Sequence, residues 1–154
     1  MADAKPTEVL FYHVEHTPLE RVLPGLLEKT LERGWRAVVQ AGSQERVEAL
    51  DTVLWTYRED SFLPHGTASD GHPEAQPIYL TSGPDTPNNA NIRFFVDGSH
   101  AEDLSPYERV VYLFDGHDEE AVEQARSQWS KARESGHDVT YWQQNAQGKW
   151  EQKA

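Results

Sequence analysis

The run Val9-Leu10-Phe11-Tyr12-His13-Val14 passes within three residues into Thr17-Pro18-Leu19-Glu20, and that junction decides the fold. A stretch rich in β-branched and aromatic residues reads as a strand. Thr17, Pro18 and Glu20 then read as helix N-cap, first helical residue and capping-box acid. Leu19, Val22, Leu23, Leu26, Leu27, Thr30 and Leu31 recur at helical spacing, Gly34 ends the helix, and Pro24 predicts a kink within it. Residues 36–40 supply a second short strand. After Gly42, Ser43 caps a second helix whose apolar stripe is Val47, Leu50, Leu54 and Tyr57. A βαβα opening predicts right-handed crossovers and a parallel sheet, so the fold class is α/β, a mostly parallel sheet flanked by helices.

Working outward, residues 58–76 shift to Pro, Gly, Asp, His and Ser and read as a long surface loop. Short strands are expected at 77–80, 92–96 and 109–114, a helix over 118–135 stopped by Gly136, and a last strand at 138–143. From Asn145 the chain is polar and reads as a frayed end. The expected organisation is therefore one domain over residues 1–144 and a polar C-terminal tail over 145–154.

The composition agrees with a single domain. A chain of 154 residues divided in two would leave each half short of core. It is polar, with 37% hydrophobic and 26% charged residues, but five Trp, six Tyr and five Phe supply the buried area that disordered chains lack. The formal net charge of −12 argues against a direct nucleic-acid surface, because phosphate affinity comes from clustered Lys and Arg. The absence of cysteine excludes disulfides, thiolate metal sites and cysteine nucleophiles. The first eight residues lack an apolar signal core, and no later stretch approaches the roughly 18 apolar residues of a span, so a cytoplasmic protein away from membranes is expected.

Catalytic signals are sparse. Asp97 and Asp115 each follow an apolar strand, where an α/β sheet would place magnesium-binding carboxylates for phosphoryl transfer or nucleotide binding. Each is also half of an Asp-Gly pair, which is turn chemistry, and no phosphate-binding motif accompanies them; the turn reading carries more weight. The turn after the first strand, Glu15-His16-Thr17-Pro18, has no glycine, presents a carboxylate and loses an N–H donor to Pro18, so no nucleotide cofactor is expected. His13, Glu15 and His16 could hold zinc, with His65 and His72 flanking the long loop. Strand alternation puts residues 13 and 15 on one face and 16 elsewhere, so no bound metal is expected.

Docking signals are stronger. Trp55 lies one 100° step past Leu54, at the edge of its helix's apolar stripe, and Phe62 follows in a polar setting. Packing of the loop and an exposed aromatic interface account for the pair equally well. On the last helix, Asp118, Glu119, Glu120 and Glu123 precede Arg126, Lys131 and Arg133, an order the helix dipole explains by itself. Yet Arg126 and Arg133 share a face bordering Val122, Ala125, Trp129 and Ala132, which suits an acidic peptide with a hydrophobic anchor.

The segment Leu54-Trp55-Thr56-Tyr57-Arg58-Glu59-Asp60-Ser61-Phe62-Leu63-Pro64-His65-Gly66 resembles the signature of the chi subunit of bacterial DNA polymerase III: Leu-Trp, a short spacer, then Ser-Phe-x-Pro-His. The likeness extends to Phe11-Tyr12, Gly34-Trp35-Arg36-Ala37-Val38, residues 109–114 and the helix carrying Ala125-Arg126. The resemblance implies a three-layer Rossmann-like domain without cofactor or catalysis. It also implies an accessory role in the clamp-loader complex, bridging the psi subunit and the acidic, Phe-ended C-terminal tail of single-stranded DNA-binding protein. On this resemblance Trp55, Phe62, Pro64 and His65 face psi or an accessory helicase, while Arg126, with Arg133, Phe114 and Trp129, takes the tail. Val122 and Ser130 stand where the family can carry basic residues, which leaves that pocket weaker or reliant on Arg133. The stretch over residues 67–91 lacks the basic character of some members.

Overall fold

The protein is described by a computed structural model covering residues 6–57 and 63–154. In chain order the elements are β1 (Glu8–Val14), α1 (Leu19–Glu32), β2 (Ala37–Gln40), α2 (Gln44–Thr56), β3 (Gly66–Thr67), β4 (Ile78–Thr81), β5 (Ile92–Phe95), β6 (Arg109–Asp115), α3 (Glu119–Glu134), β7 (Asp138–Gln144) and β8 (Trp150–Gln152). The strands form one sheet in the order β3-β4-β2-β5-β6-β1-β7-β8. Strands β1 to β7 run parallel and β8 is antiparallel to β7, so the parallel sheet read from the βαβα opening is borne out.

Because alternate residues of a strand point to opposite faces, the sheet sorts its apolar side chains into two cores. Val39, Ile78, Leu80, Phe94, Val111 and Leu113 meet Leu23 and Leu27 of α1 and Val47, Leu50 and Leu54 of α2. Val9, Phe11, Phe95, Val110, Tyr112 and Phe114 meet Ala125 and Ala132 of α3 on the other face. The result is three layers, with α1 and α2 on one side and α3 on the other. The α3 side of β2, β4 and β5 is closed by connecting segments instead of a helix, around a small cluster of Val38, Tyr79 and Ala90.

Three local expectations are corrected. Thr17 does not cap α1: Pro18 occupies the N-cap position with no side-chain hydrogen bond. Thr17 Oγ1 instead accepts from Gln144 Nε2 at 3.3 Å. Pro24, where the sequence predicts a kink, lies inside the helix as expected and is buried against the core. Of the stretch read as a surface loop over 58–76, residues 58–62 lie outside the described residues, and the rest enters the fold, since Leu63, His65 and Thr67 are buried and Gly66–Thr67 pairs with β4. Thr67 is fixed there by Asp70, whose Oδ2 accepts the Thr67 N–H at 2.8 Å. Finally, the C-terminal residues are not a frayed tail. Lys149 N–H donates to Asn145 Oδ1, turning the chain so that Trp150–Gln152 pairs with β7, and Trp150 packs edge-on to Tyr12 with ring centroids 4.9 Å apart. Short polar ends look frayed in sequence; pairing to an edge strand supplies the missing hydrogen bonds.

Candidate functional site

The carboxyl ends of the strands open into a crevice of about 680 Å³, the place where an α/β sheet binds small ligands. Here its polar groups are already engaged. Gln144, buried at the end of β7, accepts the N–H groups of both Glu15 and His16 through its side-chain oxygen, each at 3.0 Å. Those donors would be the cradle for a phosphate. Asp97 holds a left-handed turn, φ +57°, and its carboxylate accepts from Gly42 N–H at 3.2 Å and Arg46 Nε at 3.0 Å. Asp115 accepts the His117 N–H at 2.9 Å, closing its own turn. Both aspartates line the crevice and both do turn chemistry there.

His13, Glu15 and His16 come closer than strand alternation suggested, because β1 ends at Val14 and the chain bends. His13 Nε2 is 2.9 Å from one Glu15 oxygen, close enough for an ion pair without hydrogen-bond alignment, and His16 Nε2 is 3.9 Å from the other. His13 Nδ1 meets the Tyr141 hydroxyl at 2.7 Å. Among the described residues no three His, Asp or Glu side chains are arranged to hold a metal ion. His65 is buried, and His72 is exposed beside Glu74 at the other end of its segment.

On α3, Asp118 caps the N-terminus by accepting from the N–H groups of Glu120 and Ala121. Ala125 and Ala132 are buried, Val122 and Trp129 are half-buried, and Arg126 and Arg133 are exposed. The Arg133 guanidinium lies 4.7 Å from the centre of a Trp129 ring. Neither arginine has a carboxylate within ion-pair range among the described residues. Arg126 instead sits near Tyr141 of β7: burial pushes the Tyr141 phenol pKa up, while the Arg126 charge draws it down and Glu15 raises it. Phe114 is buried beneath the helix, its ring 5.9 Å from that of Tyr141. It also lines a cavity of about 160 Å³ on the opposite flank of α3, beside Gln124 and Ala125. The structure thus places Arg126, Arg133 and Trp129 along one flank with Tyr141 beside Arg126, and buries Phe114 in the core beneath.

At the end of α2, Trp55 is 55% exposed, the one large hydrophobic residue so exposed among those described. Its ring rests 4.8 Å from that of His65, whose side chain is fully buried. The imidazole is oriented from two directions, with Nδ1 2.6 Å from the Leu63 carbonyl and Nε2 3.0 Å from Asp51 Oδ1, the latter contact not aligned as a hydrogen bond. His65 therefore supports Trp55 from beneath and presents no surface of its own. Pro64 is half-buried, and Phe62 lies outside the described residues. Tyr141 and Asp51 were missed in sequence. Each is one polar-capable residue in a segment read only for its apolar period, and its partner is distant along the chain.

Comparison with known proteins agrees with this architecture. The family described as "DNA polymerase III chi subunit, HolC" matches residues 7–140. The probable DNA polymerase III subunit chi of Rickettsia prowazekii (strain Madrid E) is 27% identical over 103 residues, a stretch that spans 67% of this chain and 62% of that protein. The family is a non-catalytic accessory subunit of DNA polymerase III, and its match takes in every element from β1 to the start of β7. With both cores, the α2 edge and the α3 flank inside that match, the chain belongs to the DNA polymerase III chi subunit family.

Proposed function

We propose that the chain works as a cytoplasmic adaptor in the polymerase III clamp-loader assembly, with no reaction of its own. It holds the acidic C-terminal tail of single-stranded DNA-binding protein on α3, and the psi subunit or an accessory helicase at the Trp55 edge. The observation that carries the reading is the α3 flank: two exposed arginines seven residues apart, without carboxylate partners among the described residues, beside a half-buried indole in a chain of net charge −12. Uncommitted guanidinium groups beside an apolar surface match a carboxylate-rich chain end with an aromatic terminus. Trp55 and Pro64 belong to the second docking edge, Phe62 is assigned to it by the family resemblance alone, and His65 sets the pose of Trp55. Among the described residues no helix is long and apolar enough to cross a membrane, in keeping with this role.

The test is calorimetric titration with a peptide of acidic residues ending in Ile-Pro-Phe. Micromolar affinity is expected, about −8 kcal/mol, weakening as salt rises. Arg126→Glu should weaken binding at least about tenfold, since it replaces a charge-assisted hydrogen bond with repulsion. Trp55→Ala should leave tail affinity unchanged while abolishing capture of the partner at the α2 edge. Unchanged affinity in Arg126→Glu would mean the tail binds elsewhere.

A further inference from the structure

On the sheet face opposite α3, a groove of about 510 Å³ opens between the C-terminal half of α1 and the amino-terminal ends of β5, β6 and β1. Its floor is aliphatic and aromatic, with Leu10 and Tyr12 of β1, Leu26 of α1, Phe94 and Val111. Its rim carries Lys29, Arg33 and Arg109, three of the fourteen cationic residues in the chain, against a single rim carboxylate, Glu32. Trp35 stands among the cations. The Arg33 guanidinium is 4.1 Å from its ring centre and that of Arg109 is 5.4 Å away. Arg109 is paired with Glu8. Lys29 and Arg33 are exposed and have no carboxylate within ion-pair range among the described residues.

This arrangement has a chemical preference. A guanidinium stacked on an indole keeps its in-plane N–H donors directed outward, where they can grip a carboxylate. Two unpaired cations in so acidic a chain form a local positive spot, and the apolar floor beside them is deep enough for one bulky side chain. Glu32 and the negative end of α1, the latter about half a charge, both oppose an anion, and against the two cations of Lys29 and Arg33 they leave the rim weakly positive. Single-stranded nucleic acid fits less well, because it asks for a cationic track with stacking platforms, whereas most of this floor is branched aliphatic carbon.

We infer that this groove docks an acidic protein segment, seating one bulky aliphatic or aromatic side chain on the Leu10–Val111 floor while its carboxylates engage Arg33 and Lys29. The site is separate from the α3 flank and does not depend on the tail reading. The experiment uses the whole chain with indole-¹⁵N labelling, titrated with Asp-Glu-Asp-Leu-Phe-Asp-Glu blocked at both ends so that no terminal carboxylate is offered. The Trp35 indole resonance should move most and that of Trp129 least. The exposed double reversal Lys29→Glu with Arg33→Glu should cost about tenfold or more in affinity, and Arg33→Gln severalfold, as expected for losing charge-assisted contacts. Arg126→Glu should leave this peptide's affinity within about twofold, because the sites share no residue. A shift centred on Trp129, indifference to the double reversal in a variant whose melting is unchanged, or no binding up to about 1 mM would overturn the proposal. Arg33-dependent binding of an oligothymidylate in place of the peptide would also overturn it, and would reassign the groove to nucleic acid.

Discussion

Replacing Arg93 by Met tests the polar core of the sheet directly. Arg93 projects from β5 to the α3 side of the sheet, over the part that connecting segments close in place of the helix, and it is 1% exposed. Its Nε and Nη2 both donate to Gln40 Oε1, at 3.1 and 2.6 Å, and Nη2 also donates to the Gly83 carbonyl at 2.7 Å. Nη1 reaches the Asp85 carbonyl, Thr86 Oγ1 and the Tyr107 hydroxyl between 3.0 and 3.2 Å. One side chain therefore ties β2, the turn after β4 and the segment before β6 together. Methionine has similar length and no donors, so the substitution keeps most of the volume and strands the acceptors. Leaving a buried partner unsatisfied costs about 1–3 kcal/mol, and the Asp85 and Thr86 acceptors lie close enough to the surface to recover water. Removing one side of a buried charged network typically costs about 3–5 kcal/mol in total. At about 2–4 °C per kcal/mol for a domain of this size, a loss near 4 kcal/mol lowers the melting temperature by roughly 8–16 °C. Urea denaturation followed by circular dichroism gives the free energy, and differential scanning calorimetry gives the shift. A loss below about 1 kcal/mol with unchanged denaturant dependence would refute the account, because it would mean that apolar packing alone closes that face.

Two further outcomes follow from local geometry. A Cβ on Gly116 would overlap the His13 imidazole, which Tyr141 and Glu15 hold in place, so Gly116→Ala should destabilise by about 1–3 kcal/mol. Gly25, in the middle of α1, faces open space, and Gly25→Ala should stabilise by about 0.5–1 kcal/mol; paired thermal melts check both signs. Asp85 is partly desolvated, which opposes ionisation, yet hydrogen bonds from Thr81 and Tyr79 and the nearby Arg93 charge hold its carboxyl below the usual aspartate range. A depressed folded-state pKa adds stability that is present above the unfolded value, near pH 4, and is lost as pH falls through the folded one. The stability gap between wild type and Asp85→Asn should therefore be constant from pH 5 to 8 and shrink below about pH 4; a gap of equal size at pH 3 would contradict the assignment.

The β-branched and aromatic run over residues 9–14, the helical spacing of residues 19–31 and the Ser43 cap are local patterns, and they are enough to read a parallel α/β sheet from sequence. The edge of an apolar stripe is likewise local, since it can be placed on a wheel, whereas the burial of His65 could not be read that way. Trp55 emerged exposed on one helix and the two arginines on another. What local pattern could not convey is which distant polar groups meet. Gln144 reaches back to the turn after β1, His65 meets Asp51 of α2, and Arg93 gathers acceptors from segments up to 53 residues away. The same limit explains the polar C-terminus, which pairs with β7 only because β7 lies at an open edge. Periodicity follows from the geometry of the backbone nearby and is written into consecutive residues. Partnership between side chains depends on where the finished sheet brings its strands, and only the assembled tertiary packing supplies that.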